Sequence, residues 1–253
     1  DTYEQRFKAH DAVQIDDLQS QYLRDVDTPT VSPVVAVYPT AFTDQTGQRK
    51  SNSEFALFST AITQSPDTLL IRALKHAGNG KFFRVVERKG LDNLTKERQL
   101  IRSAREQFAT DEEKKKKLAP LLFAGILMEG AVISYEANLE SGGIGARYLG
   151  ISNSVQYRED NITVSLRLVS VATGEVLIEV LSQKTIFSYG NQKMFLGLLR
   201  LITQLVEIEL GNARNESATI ALMKAIEGGV LEIIEQGYEK GYWIRQTTVT
   251  GVE

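Results

Sequence analysis

The sequence predicts a mixed α/β domain from which two long β-hairpins project. Strand-like and helix-like segments alternate through residues 34–104, which is typical of an α/β layer. Residues 126–210 then contain long stretches of alternating apolar and polar residues, which is typical of antiparallel β-strands. With 253 residues, the chain is long enough for one large or two small domains and for a substantial core.

Composition narrows the classes of function. The chain has no cysteine and two histidines, which excludes disulfide scaffolds, cysteine-ligated metal sites and thiol catalysis. His10 and His76 lack the spacing of metal ligands, so neither a metal ion nor another cofactor is expected, and no catalytic constellation indicates an enzyme. The 29 Lys and Arg nearly balance the 32 Asp and Glu, giving a net charge of −3. This balance gives no reason to expect a nucleic-acid partner, and the charge run Asp111–Lys117 is predicted to be a solvated loop.

No stretch of the chain reaches the roughly 18–20 consecutive apolar residues of a membrane-spanning helix, so contact with a bilayer would have to be made by β-strands. The sequence opens at Asp1 without an initiator Met, and no apolar signal region follows. We therefore expect a processed or trimmed chain.

The first part of the chain divides into an arm and an α/β domain. Residues 1–32 are polar and weakly patterned, which predicts an extended or loosely helical arm that needs a partner surface. The domain, residues 33–128, opens with the β-branched run Val34–Tyr38, which predicts a buried strand. A long loop over residues 44–58 follows, and long loops in compact domains are usually functional or disordered.

Two helices and a second strand continue this domain. Ser65 and Pro66 start the first helix and Gly78 ends it. Phe82–Glu87 forms the strand, and Asp92 is the predicted cap of the second helix. The apolar positions at helical spacing are Leu69, Leu70, Ala73 and Leu74 in the first helix and Leu94, Leu100, Ile101 and Ala104 in the second.

The strongest period-2 pattern covers the first hairpin and its base, residues 129–168. Apolar residues over Ile133–Leu139 alternate with polar residues over Ser134–Glu140, a glycine-rich turn follows, and alternation resumes on the return arm. Each arm has about ten residues, the length of a tilted strand that crosses a bilayer core. The apolar positions that continue the pattern into the domain are Ile162, Val164, Leu166 and Leu168.

A turn and a strand at residues 169–181, with the tight turn at Ala172–Glu175, lead into a second predicted hairpin over residues 182–212. Its outgoing arm includes Thr185–Tyr189. Its returning arm, residues 198–210, is less regular because part of it is apolar on both sides.

Residues 213–253 are predicted to form a C-terminal helix and a tail that complete the domain. Asn215 is the predicted cap. The pair Gly228-Gly229 lowers helix propensity by about 1 kcal/mol per glycine but allows close packing on the sheet. Tyr242-Trp243 is apolar enough to dock. The apolar positions of the helix are Ile220, Leu222, Met223, Ala225, Ile226, Val230, Ile233 and Ile234.

Two interpretations of the hairpins stay open from the residues alone. A soluble antiparallel sheet with one face on the core and one in water gives the same alternation. Against it, the helices are needed to cover strands elsewhere, so the apolar hairpin faces point to lipid or to other subunits. In lipid, open strand edges are not tolerated and four strands cannot close a barrel with a lumen. The membrane interpretation therefore requires several copies of the chain.

A set of short motifs lies in order along residues 34–243. The most specific of them is the glycine-rich turn with the residues that follow it, Ser141–Tyr148. The other stretches of the set are Val34–Tyr38 followed by Asp44–Gln48, Phe58–Ala61, Ala73–Lys75, Glu87-Arg88, Ser170–Glu175, Lys184–Tyr189 and Ala225–Val230. Together these motifs resemble the curli secretion channel family.

The resemblance implies a secretion channel of the bacterial outer membrane. Each copy in a homo-oligomeric ring, nine subunits in the family, adds two transmembrane β-hairpins to one shared β-barrel above an α+β periplasmic domain. The implied partners are a secreted amyloid-type polypeptide, periplasmic and surface accessory factors of curli assembly, and the lipid bilayer. Transport is then energy-independent diffusion, since the chain has no phosphate-binding Gly-x-x-x-x-Gly-Lys-Ser/Thr loop. The alternative is a soluble periplasmic interaction or regulatory domain, lipoprotein-like and without pore activity.

The same resemblance implies which residues line the pore. The loop that projects inward corresponds to residues 51–58. Its predicted constriction residues are Phe58, Leu57, Phe55, Asn52 and Ser53. The residues predicted to face the lumen from polar strand positions are Glu136, Asn138, Glu140, Glu207 and Glu209. A ring of identical side chains multiplies the effect of one residue by the number of subunits.

Overall fold

The computed structural model describes residues 15–39, 42–44, 66–141, 156–189 and 214–246. The helices in these ranges are α1 (Gln21–Arg24), α2 (Pro66–His76), α3 (Leu91–Phe108), α4 (Asp111–Lys114) and α5 (Arg214–Lys240). The strands are β1 (Val34–Ala36), β2 (Phe42–Asp44), β3 (Arg84–Val86), β4 (Ile126–Ser141), β5 (Gln156–Ser170) and β6 (Val176–Tyr189). In this part of the chain, no helix combines the length and the apolar character needed to cross a membrane.

The described strands form one six-stranded sheet in the order β3-β1-β4-β5-β6, with β2 alongside β4. β1 pairs in parallel with β3 and with the start of β4, and β2 pairs in parallel with Gly130–Val132 of β4. β4, β5 and β6 are antiparallel neighbours of 14 to 16 residues each. The predicted mixed α/β class is confirmed, and its long strands belong to the same sheet as its short ones.

One face of the sheet is covered by α5, which packs on β5 and β6 and in turn contacts α2. The inward positions of β5 that the pattern predicts, from Ile162 to Leu168, are all 0% exposed. Burying each such side chain stabilises the fold by about 1.5–3 kcal/mol. A Cβ on Gly229 would lie 2.7 Å from Leu166 Cδ1. The predicted close approach of the helix to the sheet at this glycine is therefore confirmed.

The predicted first helix and the predicted tight turn both form. In α2, Leu70, Ala73 and Leu74 are buried and Leu69 is partly buried. Gly78 follows the helix with φ of 59°, a left-handed conformation that commonly ends helices. In the turn between β5 and β6, the Gly174 N–H donates to Ser170 O at 2.8 Å, and Gly174 has φ of 70°.

Two predicted helix caps are wrong by one or two residues. Gly90 occupies the cap position of α3, so Asp92 lies in the first turn, where its negative charge still complements the positive end of the helix. α5 begins at Arg214, before the predicted cap Asn215. The predicted helix forms as α3, but no residue of it is buried. Of its predicted apolar positions, Leu94 and Ile101 are partly buried and Leu100 and Ala104 are exposed.

The charge run after α3 is partly helical, which corrects the prediction of a loop. Thr110 and Glu113 form a reciprocal capping box at the start of α4, which satisfies backbone donors that a helix start leaves open. The Thr110 N–H donates to Glu113 Oε2 at 3.0 Å, and the backbone and side-chain bonds from Thr110 lower the pKa of the Glu113 carboxyl. The lysines of the run, Lys114–Lys117, are all exposed, as predicted.

A β-bulge interrupts the alternation predicted along β4. Val132 pairs with Val164, but the next paired residue, Ser134, faces Thr163, so Ile133 is the extra residue. Before the bulge the side chain of Val132 is inside; after it Tyr135 is buried, and Ile133 is 39% exposed. The prediction that Ile133 shares the apolar face of Tyr135 is therefore wrong, because a bulge shifts which side chains point inward.

The described part of the arm packs on α2 and α5 of the same chain, which provide the partner surface predicted for it. Leu18 and Leu23 are buried there, and the Ser20 hydroxyl accepts from the Leu23 N–H as the cap of α1. The backbone carbonyl of Leu23 accepts from the Gly78 N–H at 3.1 Å. The arm is thus part of the folded unit.

A buried carboxylate on α5 is hydrogen-bonded to the same arm. The Ser20 N–H donates to Glu227 Oε1 at 3.0 Å, and Glu227 is 3% exposed. Burial raises the pKa of the Glu227 carboxyl, against the opposing effects of the bonds from Ser20 and Gln19 and of the charges of Arg72 and Lys224. The guanidinium of Arg72 also donates to the backbone carbonyl of Asp16.

The tail docks through one of its two predicted aromatic residues. Trp243 is buried and donates from Nε1 to Ile234 O at 2.9 Å, whereas Tyr242 is 44% exposed. The tail also binds the arm, since the Thr30 N–H donates to Ile244 O at 2.9 Å.

Candidate functional site

The candidate site is the outgoing end of the three long strands, where they leave the covered part of the sheet. We call Tyr135–Ser141, Gln156–Thr163 and Lys184–Tyr189 the strand ends. Their backbones stay paired to the last described residues, with Ser141 opposite Gln156 and Tyr157 opposite Tyr189. The alternating sequence explains this extension, because period-2 residues suit a pleated sheet with two different faces.

A buried polar pair lies where the strand ends meet the core. The Tyr135 hydroxyl donates to Asp160 Oδ1 at 2.6 Å. Asp160 is 0% exposed and Tyr135 is 8% exposed. A hydrogen bond to a charged group contributes about 1.5–3 kcal/mol, and a buried carboxylate without donors is costly. The pair therefore ties β4 to β5 at the first residues beyond the bulge.

The strand ends leave backbone edges open within the described residues. β4 is covered on one side by β1 and then β2, whose last paired residue, Asp44, faces Val132. From Ile133 to Ser141, no described strand pairs with that edge. In the part of the chain that the structure describes, β6 likewise has a single strand neighbour, β5. Open edges are templates for pairing with another strand.

The face of the sheet that points away from α5 is polar in the half of β4, β5 and β6 before the strand ends. Arg167 binds Glu129 across β4 and β5 at 2.5 Å, and the Ser165 hydroxyl donates to Glu179 Oε1 at 3.1 Å. These side chains are partly or fully exposed. The charged pairs thus mark this face as one that water reaches, and the apolar face is the one under α5.

The predicted site residues fall into two groups. Glu136 is exposed on β4, next to the buried Tyr135, and Asn138 and Glu140 follow at alternate positions of the same strand. That all three face the same side stays a prediction from the alternation. The predicted residues that lie outside the described part of the chain are Phe58, Leu57, Phe55, Asn52, Ser53, Glu207 and Glu209.

The Tyr135–Asp160 pair was not predicted from the sequence, although a signal was present. Asp160 has the same parity as Ile162 and Val164, so it is an acidic residue on the inward face of β5. A charged residue on an apolar face needs a buried partner. The pair was not predicted because it joins two strands, and the register between β4 and β5 cannot be read from either strand alone.

Metal-ligating side chains do not cluster in the described ranges. No three His, Asp or Glu side chains there come close enough to hold a metal ion. The arrangement instead offers paired backbones, a buried pair that fixes the strand geometry and a polar face. Such features suit a structural or assembly role.

The family profile and the curated relatives name the same family. The sequence profile of the family described as "Curli production assembly/transport component CsgG" matches residues 18–252. The protein of that name from Salmonella typhimurium (strain LT2) is 42% identical over 223 residues, covering 87% of this chain and 77% of the relative. The protein from Escherichia coli (strain K12) gives the same identity and coverage. Among solved structures, the hypothetical protein CT253 from Chlamydia trachomatis is 9% identical, with a TM-score of 0.40 over 82% of this chain and 98% of that one.

Proposed function

The chain belongs to the CsgG family of curli production assembly/transport components, and on that premise we propose that it is one subunit of a homo-oligomeric secretion channel in the bacterial outer membrane. The proposed cargo is an unfolded polypeptide of the amyloid type, which curli subunits represent. In this role the protein is a transport component and not an enzyme.

The single observation that carries the proposal is the pair of open strand edges at the strand ends. β4 and β6 extend past their covered neighbours with edges that no described strand fills. Unpaired backbone groups are costly in hydrocarbon, so a membrane-spanning sheet must close on itself. Four strands from one copy cannot enclose a lumen. The returning arm of the second hairpin, residues 198–210, is proposed to pair with β6. Neighbouring copies would pair with β4 and with the far edge of that arm, so a ring of copies, nine in the family, would form one barrel.

The polar strand positions support a lumen on one side of that barrel. Glu136, Asn138 and Glu140 lie at alternate positions of β4 and are proposed to face the lumen. Glu207 and Glu209 are proposed to do the same from the returning arm of the second hairpin. Transmembrane barrels place polar residues inside and apolar residues toward lipid. Substituting these residues would then change ion selectivity more than assembly.

The constriction is proposed to come from residues 51–58, with Phe58, Leu57, Phe55, Asn52 and Ser53 as its lining. A ring of apolar side chains gates by packing and dewetting and not by charge, which suits an unfolded chain that slides through. No nucleotide-binding loop is present in the sequence, so diffusion would drive transport, with accessory factors of curli assembly at the periplasmic and surface sides.

Electron microscopy and conductance together test this function. The protein, extracted in detergent, should give top views of a ring with a central hole, and it should conduct ions when added to a planar bilayer. Truncating Phe58 to Ala should widen the proposed constriction and raise the single-channel conductance. A detergent-free monomer that conducts no ions would overturn the proposal and favour a soluble periplasmic interaction domain.

A further inference from the structure

An amphipathic helix on the surface keeps an apolar stripe that no described residue buries. α3 runs for 18 residues without one buried residue. Leu100, Ala104 and Phe108 lie four residues apart and so form one stripe along the helix. Leu100 is 63% exposed and Phe108 is 84% exposed. Helices in proteins are stabilised mainly by packing of their apolar face, so this stripe needs a partner.

The segment after α4 is attached to the same helix by polar contacts. Arg105 donates to Lys116 O at 2.8 Å, and Arg98 donates to Ala119 O at 2.6 Å. These bonds hold the backbone of residues 115–123 while Phe123 remains 86% exposed. We call α3 together with residues 115–123 the platform. Its exposed surface combines apolar side chains with the lysines Lys115–Lys117.

A groove of the opposite charge lies on another part of the molecule. Its volume is about 580 Å³, and it lies between α1, α5 and the tail. The residues that line it are Gln21, Tyr22, Asp25, Val26, Asp27, Leu231, Glu235 and Arg245. They include three carboxylates and one guanidinium, and Tyr22 is 82% exposed at the rim.

The one guanidinium of the groove is already bound to acids of the same groove. Arg245 contacts Asp27 at 3.0 Å and Glu235 at 2.9 Å, and it lies over the ring of Tyr238 at 4.1 Å. The remaining acid of the lining, Asp25, is bound by Arg24 at 3.1 Å but stays half exposed. The groove as a whole keeps an excess of negative charge beside apolar surface from Val26 and Leu231.

We propose that the platform of one copy docks in the acidic groove of the next copy. This proposal rests on the proposed ring, and it assigns the contact between neighbouring subunits outside the strands. The argument is the match of two unlike surfaces, apolar with basic on the platform and apolar with acidic in the groove. Contacts between two different patches are heterologous, and such contacts close into rings when the rotation between copies allows it.

The absence of cysteine makes this contact directly testable, because every introduced thiol is unique. The variants Tyr22→Cys and Phe108→Cys are made singly and together in the full chain, and isolated membranes are treated with a flexible bis-maleimide. The double variant should give a ladder of covalent multimers. Each single variant should give no cross-link, and the two single variants expressed together should give dimers and nothing larger.

Charge reversal gives a second measurement. Changing Lys115, Lys116 and Lys117 to Glu should reduce assembled particles several-fold, because three cations that face the acids of the groove become anions that repel them. Adding Asp25→Lys should recover part of the loss. Lys81→Glu, a reversal at an exposed site outside both surfaces, is the matched control and should assemble normally. Thermal unfolding of each variant shows whether the subunit itself still folds.

The outcomes separate this inference from the proposed channel. A ring that conducts ions but gives no ladder from the double variant would overturn the docking and leave the channel standing. Dimers from Tyr22→Cys alone or from Phe108→Cys alone would mean that two identical surfaces meet, which would also overturn the proposed docking. A ladder from protein that forms no conducting pore would support the docking and refute the channel.

Discussion

α5 and α3 are both amphipathic helices, yet one is buried and the other is not. In α5, Leu222, Ile226 and Val230 are 0% exposed because they pack against the sheet. In α3 the stripe from Leu100 to Phe108 faces outward, and the helix is held to its neighbouring segment by arginine–carbonyl bonds. Helical periodicity shows that a face needs a cover. It does not show whether the same chain supplies that cover.

The largest effect is expected from truncating one leucine under α5 and one in the exposed stripe of α3. Leu168→Ala removes a fully buried side chain and should lower the free energy of unfolding by about 2–5 kcal/mol. Leu100→Ala, in the exposed stripe of α3, should change it by less than about 0.5 kcal/mol. Thermal unfolding of both variants in detergent under conditions that keep single subunits apart measures the difference. Equal losses would mean that α3 is covered within its own subunit.

A second prediction concerns the end of α5. A Cβ on Gly237 would lie 1.9 Å from Trp243 Cζ2, so Gly237→Ala must displace the tail or strain the helix. We expect a loss of about 1–3 kcal/mol and, since the chain has one Trp, a red shift of its fluorescence. Gly125→Ala, where a Cβ meets nothing within 4 Å, is the control. An unshifted spectrum in Gly237→Ala would contradict the docked tail.

A third prediction concerns the hydrogen bond between Tyr135 and Asp160, at the start of the strand ends. Tyr135→Phe keeps the ring but removes the donor to Asp160, which should cost about 1–3 kcal/mol. Hydrogen exchange should rise at the amides of β4 and β5 next to this pair, and less at residues under α5. Uniform protection in the variant would show that the pair does not hold the two strands together.

The smallest effect concerns pH and the arm. Because burial raises the pKa of Glu227 above its ordinary value of 4.5, the folded state binds the proton more tightly than the unfolded one. The stabilisation from that proton is present below the ordinary value and is lost as pH rises through the raised one. The stability of the natural chain relative to Glu227→Gln should therefore fall over that pH range. Glu239→Gln, at an exposed site on the same helix, should show no such trend in urea unfolding.

Much of the fold followed from local patterns. The inward positions of β5, the glycine contact of α5 and the turn before β6 could be predicted because each depends on a few neighbouring residues. Parallel pairing of β1 with both β3 and β4 could not, since nothing local specifies which strands meet. The bulge at Ile133 was missed because an extra residue of apolar type leaves the alternation apparently intact.

The candidate site was predicted less completely than the fold. The polar positions Glu136, Asn138 and Glu140 were predicted from alternation, and of these Glu136 is exposed on β4. The buried pair of Tyr135 and Asp160 depends on a contact between two strands, and the docking of the arm on Glu227 joins residues 207 positions apart. Contacts at such separations are set by the tertiary fold and leave only weak signals in the sequence.

The bridge between arm and tail has a consequence for engineering. Pro29 and Arg245 form an antiparallel bridge, and Thr30 is hydrogen-bonded to Ile244, so these two stretches of backbone lie side by side. A label is therefore better inserted at the exposed β5–β6 turn, Thr173-Gly174, than near Pro29 or Arg245, where it would separate the arm from the tail.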